Sequence, residues 1–256
     1  MAESPRIELD SRDEHAIDGR HVRAVAFQRV RLEYVQASLR TLPTPASARA
    51  ALVLGSGKGD LARGLAGLGL RVTAVDPSPV ATEVARERSL ERGVTVEHVT
   101  ARAEDLGFAD GTFDLVYCAD TFEVTERLEA VVSEAARVLR PGGVLFYDTV
   151  NRTPLARIIY LGAFQRIGFT RIVPAGRYAR SRLRPPEEVV AVMAAHGLES
   201  KDVCSFKPTS PRDLVGAVLA RRRGRITDDQ IGSRVEFVLD ATGSPLVTYL
   251  GHAIRT

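Results

Sequence analysis

Short, wholly apolar runs alternate with stretches of helical periodicity through the first half of the chain. Ala50–Leu54 is such a run ending in glycines, residues 60–68 read as a helix, and 70–75 as a second strand. Residues 79–92 form a helix stopped by Gly93, and 94–99 a third strand. After a turn at 108–112 come a fourth strand, Phe113–Cys118, a helix at 128–139 halted by Pro141-Gly142-Gly143, and a fifth strand at 144–149. Strands buried on both faces must be nearly all apolar, and these are. Single helices between them imply right-handed parallel crossovers, hence a doubly wound α/β sheet.

The flanking regions differ. Residues 1–20 are polar and read as loosely ordered, and 21–39 as a helix with an apolar stripe through Val22, Ala26, Val30 and Leu39. The prolines in 41–45 stop it. Residues 149–186 hold eight arginines and no acid, mixed with aliphatic and aromatic side chains, which reads as an inserted lid at about 150–186. Beyond it follow a helix at 187–196, a strand at 201–206, a helix at 212–222, and two alternating runs, 234–239 and 246–254, read as an antiparallel terminal hairpin. The expectation is a mostly parallel seven-stranded sheet, with a segment and cap helix at 1–45 and one domain at 46–256.

Composition narrows the class. A 256-residue chain that is 45% hydrophobic and 26% charged suits a folded globular domain and argues against disorder. It shows no apolar run long enough to span a bilayer and no secretory signal near its start. Two cysteines are too few for a disulfide framework, so a reducing cytoplasm is expected. A net charge of +3 gives no reason to expect nucleic acid as a partner.

The candidate chemistry sits after strand one. Gly55-Ser56-Gly57-Lys58-Gly59 lets the backbone approach a ligand where a Cβ would clash, and Asp76 ends strand two, where a carboxylate can hold a ribose. A dinucleotide fingerprint needs glycine or alanine at position 60. Asp60 stands there instead, and its charge would repel a pyrophosphate. The loop suits a nucleoside without phosphates.

Leu54-Gly-Ser-Gly-Lys-Gly59, Val75-Asp76, Ala103-Glu104-Asp105, Phe113-Asp-Leu-Val116 and Leu139-Arg-Pro-Gly-Gly143, in that order, resemble class I S-adenosylmethionine-dependent methyltransferases of Rossmann-like fold. The resemblance implies that Gly55, Ser56 and Gly57 lie against the methionine part of the cofactor. Asp76, followed by Pro77, would hold the ribose, Ala103 and Glu104 would flank the adenine, and Cys118 and Ala119 would line the sulfonium side. Arg31-Leu-Glu-Tyr34, Thr149-Val-Asn-Arg152 and Arg171-Ile-Val-Pro-Ala-Gly176 resemble, more narrowly, the ubiquinone-biosynthesis O-methyltransferases. There the arginine matching Arg31 contacts the cofactor, and the insertion matching 152–184 covers the active site and touches the membrane surface.

The catalytic pattern of that family is only partly kept. Its E-x-x-E-H metal-ligand segment is Asp120-Thr-Phe-Glu123-Val124 here, and histidines expected at 178 and 25 are Tyr178 and Val25. Two carboxylates with waters can hold magnesium, but no metal ligand is assigned. Asp120, Glu123, Tyr178 and His21 are the candidates for orienting or deprotonating an acceptor. For the two acids, helix capping on a solvated face is the alternative. Transfer to an oxygen of a small molecule is the leading expectation, and N-methylation of an amine or peptide terminus its rival. A nicotinamide-dependent oxidoreductase and a non-catalytic cofactor-binding protein are the readings from other classes.

Overall fold

The computed structural model describes residues 5–40 and 49–256; the proline stop at 41–45 lies outside the described residues. Helix α1 (Gly19–Leu39) precedes β1 (Ala50–Leu54), α2 (Asp60–Gly67), β2 (Arg71–Asp76), α3 (Pro79–Glu91), β3 (Glu97–Thr100), β4 (Phe113–Cys118), α4 (Leu128–Val138) and β5 (Leu139–Val150). These five strands pair in parallel in the order β3-β2-β1-β4-β5. Side chains alternate between two covered faces: Ala51, Val53, Leu115 and Tyr117 pack with α1 and α2, and Leu52, Leu54, Val116 and Cys118 with α4. That double burial is why the runs carry no polar alternation. The strand order reverses between β1 and β4, the place where open α/β sheets bind ligands.

The lid holds α5 (Pro154–Arg157), a π-helical turn at Ile158–Ala163 and a 3-10 turn at Arg180–Arg182. It passes so close to α1 that a Cβ on Gly19 would lie 2.3 Å from the Ile172 carbonyl oxygen. After it come α6 (Pro186–Ala195), β6 (Leu198–Pro208), α7 (Pro211–Arg222), β7 (Phe237–Asp240) and β8 (Thr248–Arg255). The sheet has eight strands rather than seven. The two C-terminal runs are antiparallel strands as expected, but they pair with β6 from either side and not with each other. β8 lies between β5 and β6, bonded along both edges, which leaves β7 the outer edge of β6.

The expectation for the N-terminal segment also fails. Residues 5–18 are not loose. Ile17 is fully buried, Ile7 bridges to Ile17, and Arg221 donates to the carbonyls of Glu14, His15 and Ala16. Asp18 caps α1 by accepting from the Arg20 and His21 amides. The segment has few apolar residues, so composition understates its order; it is held through its backbone and its caps.

Candidate active site

The turn after β1 bends back through Gly55, Gly57 and Gly59, all at positive φ. A Cβ on Gly55 would come 2.4 Å from the Ala119 carbonyl oxygen, so the loop needs glycine there. Asp76 is fully buried at the end of β2 and accepts from the Gly57 amide at 2.9 Å and the Ser78 amide at 3.0 Å. Its two carboxylate oxygens also face the Arg20 guanidinium, which reaches Asp10 at 3.1 Å. Lys58 in the glycine loop donates to the Ser11 carbonyl at 2.8 Å. The N-terminal segment is thereby strapped across the loop. The pocket between them, lined by Asp18, Arg20, Arg31, Gly55, Gly57 and Asp120, encloses about 10 Å³, room for no more than a water.

Cys118 and Ala119 are buried at the end of β4, Glu104 accepts from the Thr125 hydroxyl at 2.9 Å, and Pro77 is exposed at the rim. Asp120 follows Ala119 with φ 48°, a conformation rare outside glycine that concentrates at functional sites.

Three of the four acid–base candidates meet at a residue that the sequence reading missed. Arg23 of α1 is buried and holds Asp120 at 2.7 Å, Glu123 at 2.6 Å and the Tyr178 hydroxyl at 2.9 Å. Its guanidinium stands 5.2–5.8 Å from the ring centroids of Phe27, Tyr160 and Tyr178. Glu123 accepts in addition from Thr149 at 3.0 Å. Arg31 bridges Asp120 at 2.8 Å and Asp148 of β5 at 2.7 Å. Burial pushes the Asp120 carboxyl up, but the Arg23 and Arg31 guanidiniums outweigh it and hold it low. Burial also pushes Asp148 up, and there Arg31 does not offset it. Only the helical interval between Arg23 and the apolar stripe hinted at an inward arginine.

His21 stands apart from this cluster. It is buried between Asp229 at 2.6 Å and Asp60 at 3.3 Å. Burial lowers its pKa, but the two carboxylates prevail and raise it to about 9. The flanking carboxylates favour the protonated ring, which ties α1 to α2 and the segment after α7, and His21 also borders the glycine-loop pocket. Among the described residues no three His, Cys, Asp or Glu side chains are grouped to hold a metal ion.

Beside Arg23 opens a cavity of about 700 Å³, within the range of small-molecule sites. Its wall is mainly apolar, with Phe27, Ile159, Tyr160, Phe206, Leu214 and Phe237 among the lining residues. It lies over the ends of β6 and β8, next to the lid.

Residues 52–147 match a family described as a methyltransferase domain. A ubiquinone biosynthesis O-methyltransferase of Xanthomonas axonopodis pv. citri (strain 306) is 38% identical over 179 residues, covering 70% of this chain and 72% of that one. One from Xanthomonas oryzae pv. oryzae (strain PXO99A) is 36% identical over the same shares. Among solved structures, the YcgJ protein of Bacillus subtilis superposes with a TM-score of 0.62 at 19% identity, covering 87% of this chain and 98% of that one. A SAM-dependent methyltransferase from Aquifex aeolicus gives 0.57 at 15% identity, covering 91% and 93%. These two likenesses speak for the fold. The sequence relatives, together with the glycine turn and the acid closing β2, lead to one conclusion: this chain belongs to the ubiquinone biosynthesis O-methyltransferase family and is an S-adenosylmethionine-dependent methyltransferase.

Proposed function

We propose that the enzyme methylates an oxygen of a small molecule whose apolar body lies in the 700 Å³ cavity beside Arg23. The observation that carries this reading is the position of Arg23: it lines the cavity and holds Asp120, which lines the glycine-loop pocket. The names of the sequence relatives favour oxygen over nitrogen.

The cofactor supplies a sulfonium-bound, electrophilic methyl group. On this reading Asp76 exchanges Arg20 for the ribose hydroxyls as the N-terminal strap opens. Gly55, Ser56 and Gly57 approach the methionine part, and Arg31, whose Nε has no hydrogen-bond partner, faces its carboxylate. Pro77, Ala103 and Glu104 flank the adenine, and Cys118 and Ala119 lie toward the sulfur. The buried walls align acceptor and methyl, the main contribution such a site makes to an in-line displacement. Glu123 takes the acceptor proton, Asp120 holds Arg23 and Arg31 in place, and Tyr178 orients Arg23. No step here is assigned to a metal.

The lid gives the enzyme a face for an anionic bilayer. Leu155, Ile158, Ile167 and Phe169 are exposed, with Arg166, Arg171 and Arg180 exposed on the same segment, whereas Arg152 and Arg184 are tied inward to Glu188. Among the described residues no helix is long and apolar enough to cross a membrane.

Transfer of labelled methyl from S-adenosylmethionine to octylphenol tests the reaction. Label entering the ether supports it, and label entering only amines overturns it. Flotation with phosphatidylglycerol vesicles tests the lid, and a Phe169→Ser, Ile158→Ser variant that floats as well as the wild type would remove that part.

A further inference from the structure

Of the charged side chains lining the apolar cavity, Lys207 and Asp240 pair with each other at 2.6 Å on an exposed rim. Arg23 is the buried one. Its terminal nitrogens hold Asp120, Glu123 and Tyr178, three aromatic rings surround it, and its Nε has no hydrogen-bond partner. A buried N–H left unpaired is unfavourable, so an acceptor oxygen that displaces the side chains now closing this one off from the cavity would be favoured there.

We propose that Arg23 receives the nucleophilic oxygen of the acceptor, and so selects a hydroxyl on an apolar body over a protonated amine. The proposal rests on the oxygen-methylation reading above. A guanidinium donates only, so it matches an oxygen lone pair and has none to offer an ammonium. The groups facing it are Asp120 and Glu123 after β4, Tyr160 and Tyr178 from the lid, and Arg31 of its own helix, with Asp148 of β5 behind Arg31. Two guanidiniums against Asp120 and Glu123 leave the cluster close to neutral, so the directional donor decides what binds. As the acceptor oxygen bonds to the methyl carbon, the carbon–sulfur bond breaks with its electron pair left on sulfur. The hydroxyl proton passes to the Glu123 carboxylate.

The test compares wild type, Arg23→Gln and Arg23→Lys on octylphenol and octylamine, with S-adenosylhomocysteine binding as the check on folding. Arg23→Gln should bind S-adenosylhomocysteine as the wild type does, lose about 10²-fold in kcat/KM on octylphenol, and need a higher pH for half-maximal rate. Arg23→Lys should recover part of the rate and the wild-type pH profile. Arg23→Gln turning over octylphenol at the wild-type rate and pH profile overturns the role of Arg23 while oxygen methylation stands. Wild type methylating neither probe overturns the oxygen reading itself. Should Arg23→Gln fail to bind S-adenosylhomocysteine, the unaltered enzyme decides. A para-nitrophenol bearing an octyl chain should ionise, by absorbance, about one unit below its free value when bound. Ionisation at or above the free value overturns the proposal.

Discussion

The glycine-loop side and the acceptor side of this site differ in how far along the chain their residues lie from one another. Gly55, Gly57 and Asp76 come from one strand–turn–helix–strand unit, and the Gly57 amide reaches Asp76 across 19 positions. Arg23 and Tyr178 meet across 155 positions, and Glu123 and Thr149 join them from two further segments. A local unit carries its own signature because its geometry follows from a short stretch of backbone. An assembled cluster has none, since each member is ordinary until α1 and the lid bring them together. The lesson is that cofactor chemistry and acceptor chemistry should respond separately to substitution.

The sharpest way to break that separation is Glu123→Gln. Loss of the proposed base should cut turnover of octylphenol by about 10³-fold while S-adenosylhomocysteine affinity by calorimetry stays within a few fold. A matching loss of affinity would show that the two sides are one.

Next is His21, which ties α1 to the rest. Its folded pKa of about 9 exceeds the unfolded 6.5, so its stabilisation is fully present below pH 6.5 and lost as pH rises through 9. Urea unfolding should show about 3 kcal/mol less stability at pH 10 than at pH 6 from this group, and His21→Gln should flatten that difference.

Asp76→Ala tests the local side. S-adenosylhomocysteine should bind about 10²-fold more weakly, because a charge-assisted pair of hydrogen bonds is lost. Unchanged affinity would remove Asp76 from the cofactor site.

The smallest effect is expected for Arg20→Ala. Removing the side chain that covers Asp76 should tighten S-adenosylhomocysteine by about tenfold, the equivalent of one weakened ion pair. Weaker binding instead would mean that Arg20 stays on the acid when the cofactor is present.

Much of the fold was legible because buried parallel strands write themselves as unbroken apolar runs such as Ala50–Leu54 and Phe113–Cys118. The pairing of β7 and β8 was not, since alternation says that a strand is half-buried and nothing about which neighbour it takes. His21 looked like a free imidazole because Asp60 and Asp229 lie 39 and 208 positions away. The order of residues 5–18 was hidden because Arg221 binds their carbonyls, and carbonyls are the same in every residue.

By itself, then, the sequence determined the parallel α/β core, the glycine turn and the acid that closes β2, because each depends on neighbours a few residues apart. Only the tertiary structure decided that Arg23 joins Asp120, Glu123 and Tyr178 beside an apolar cavity, and that Arg20 covers Asp76. Those contacts depend on how α1 and its strap pack over the sheet, and the strength of a buried charge is set by what surrounds it.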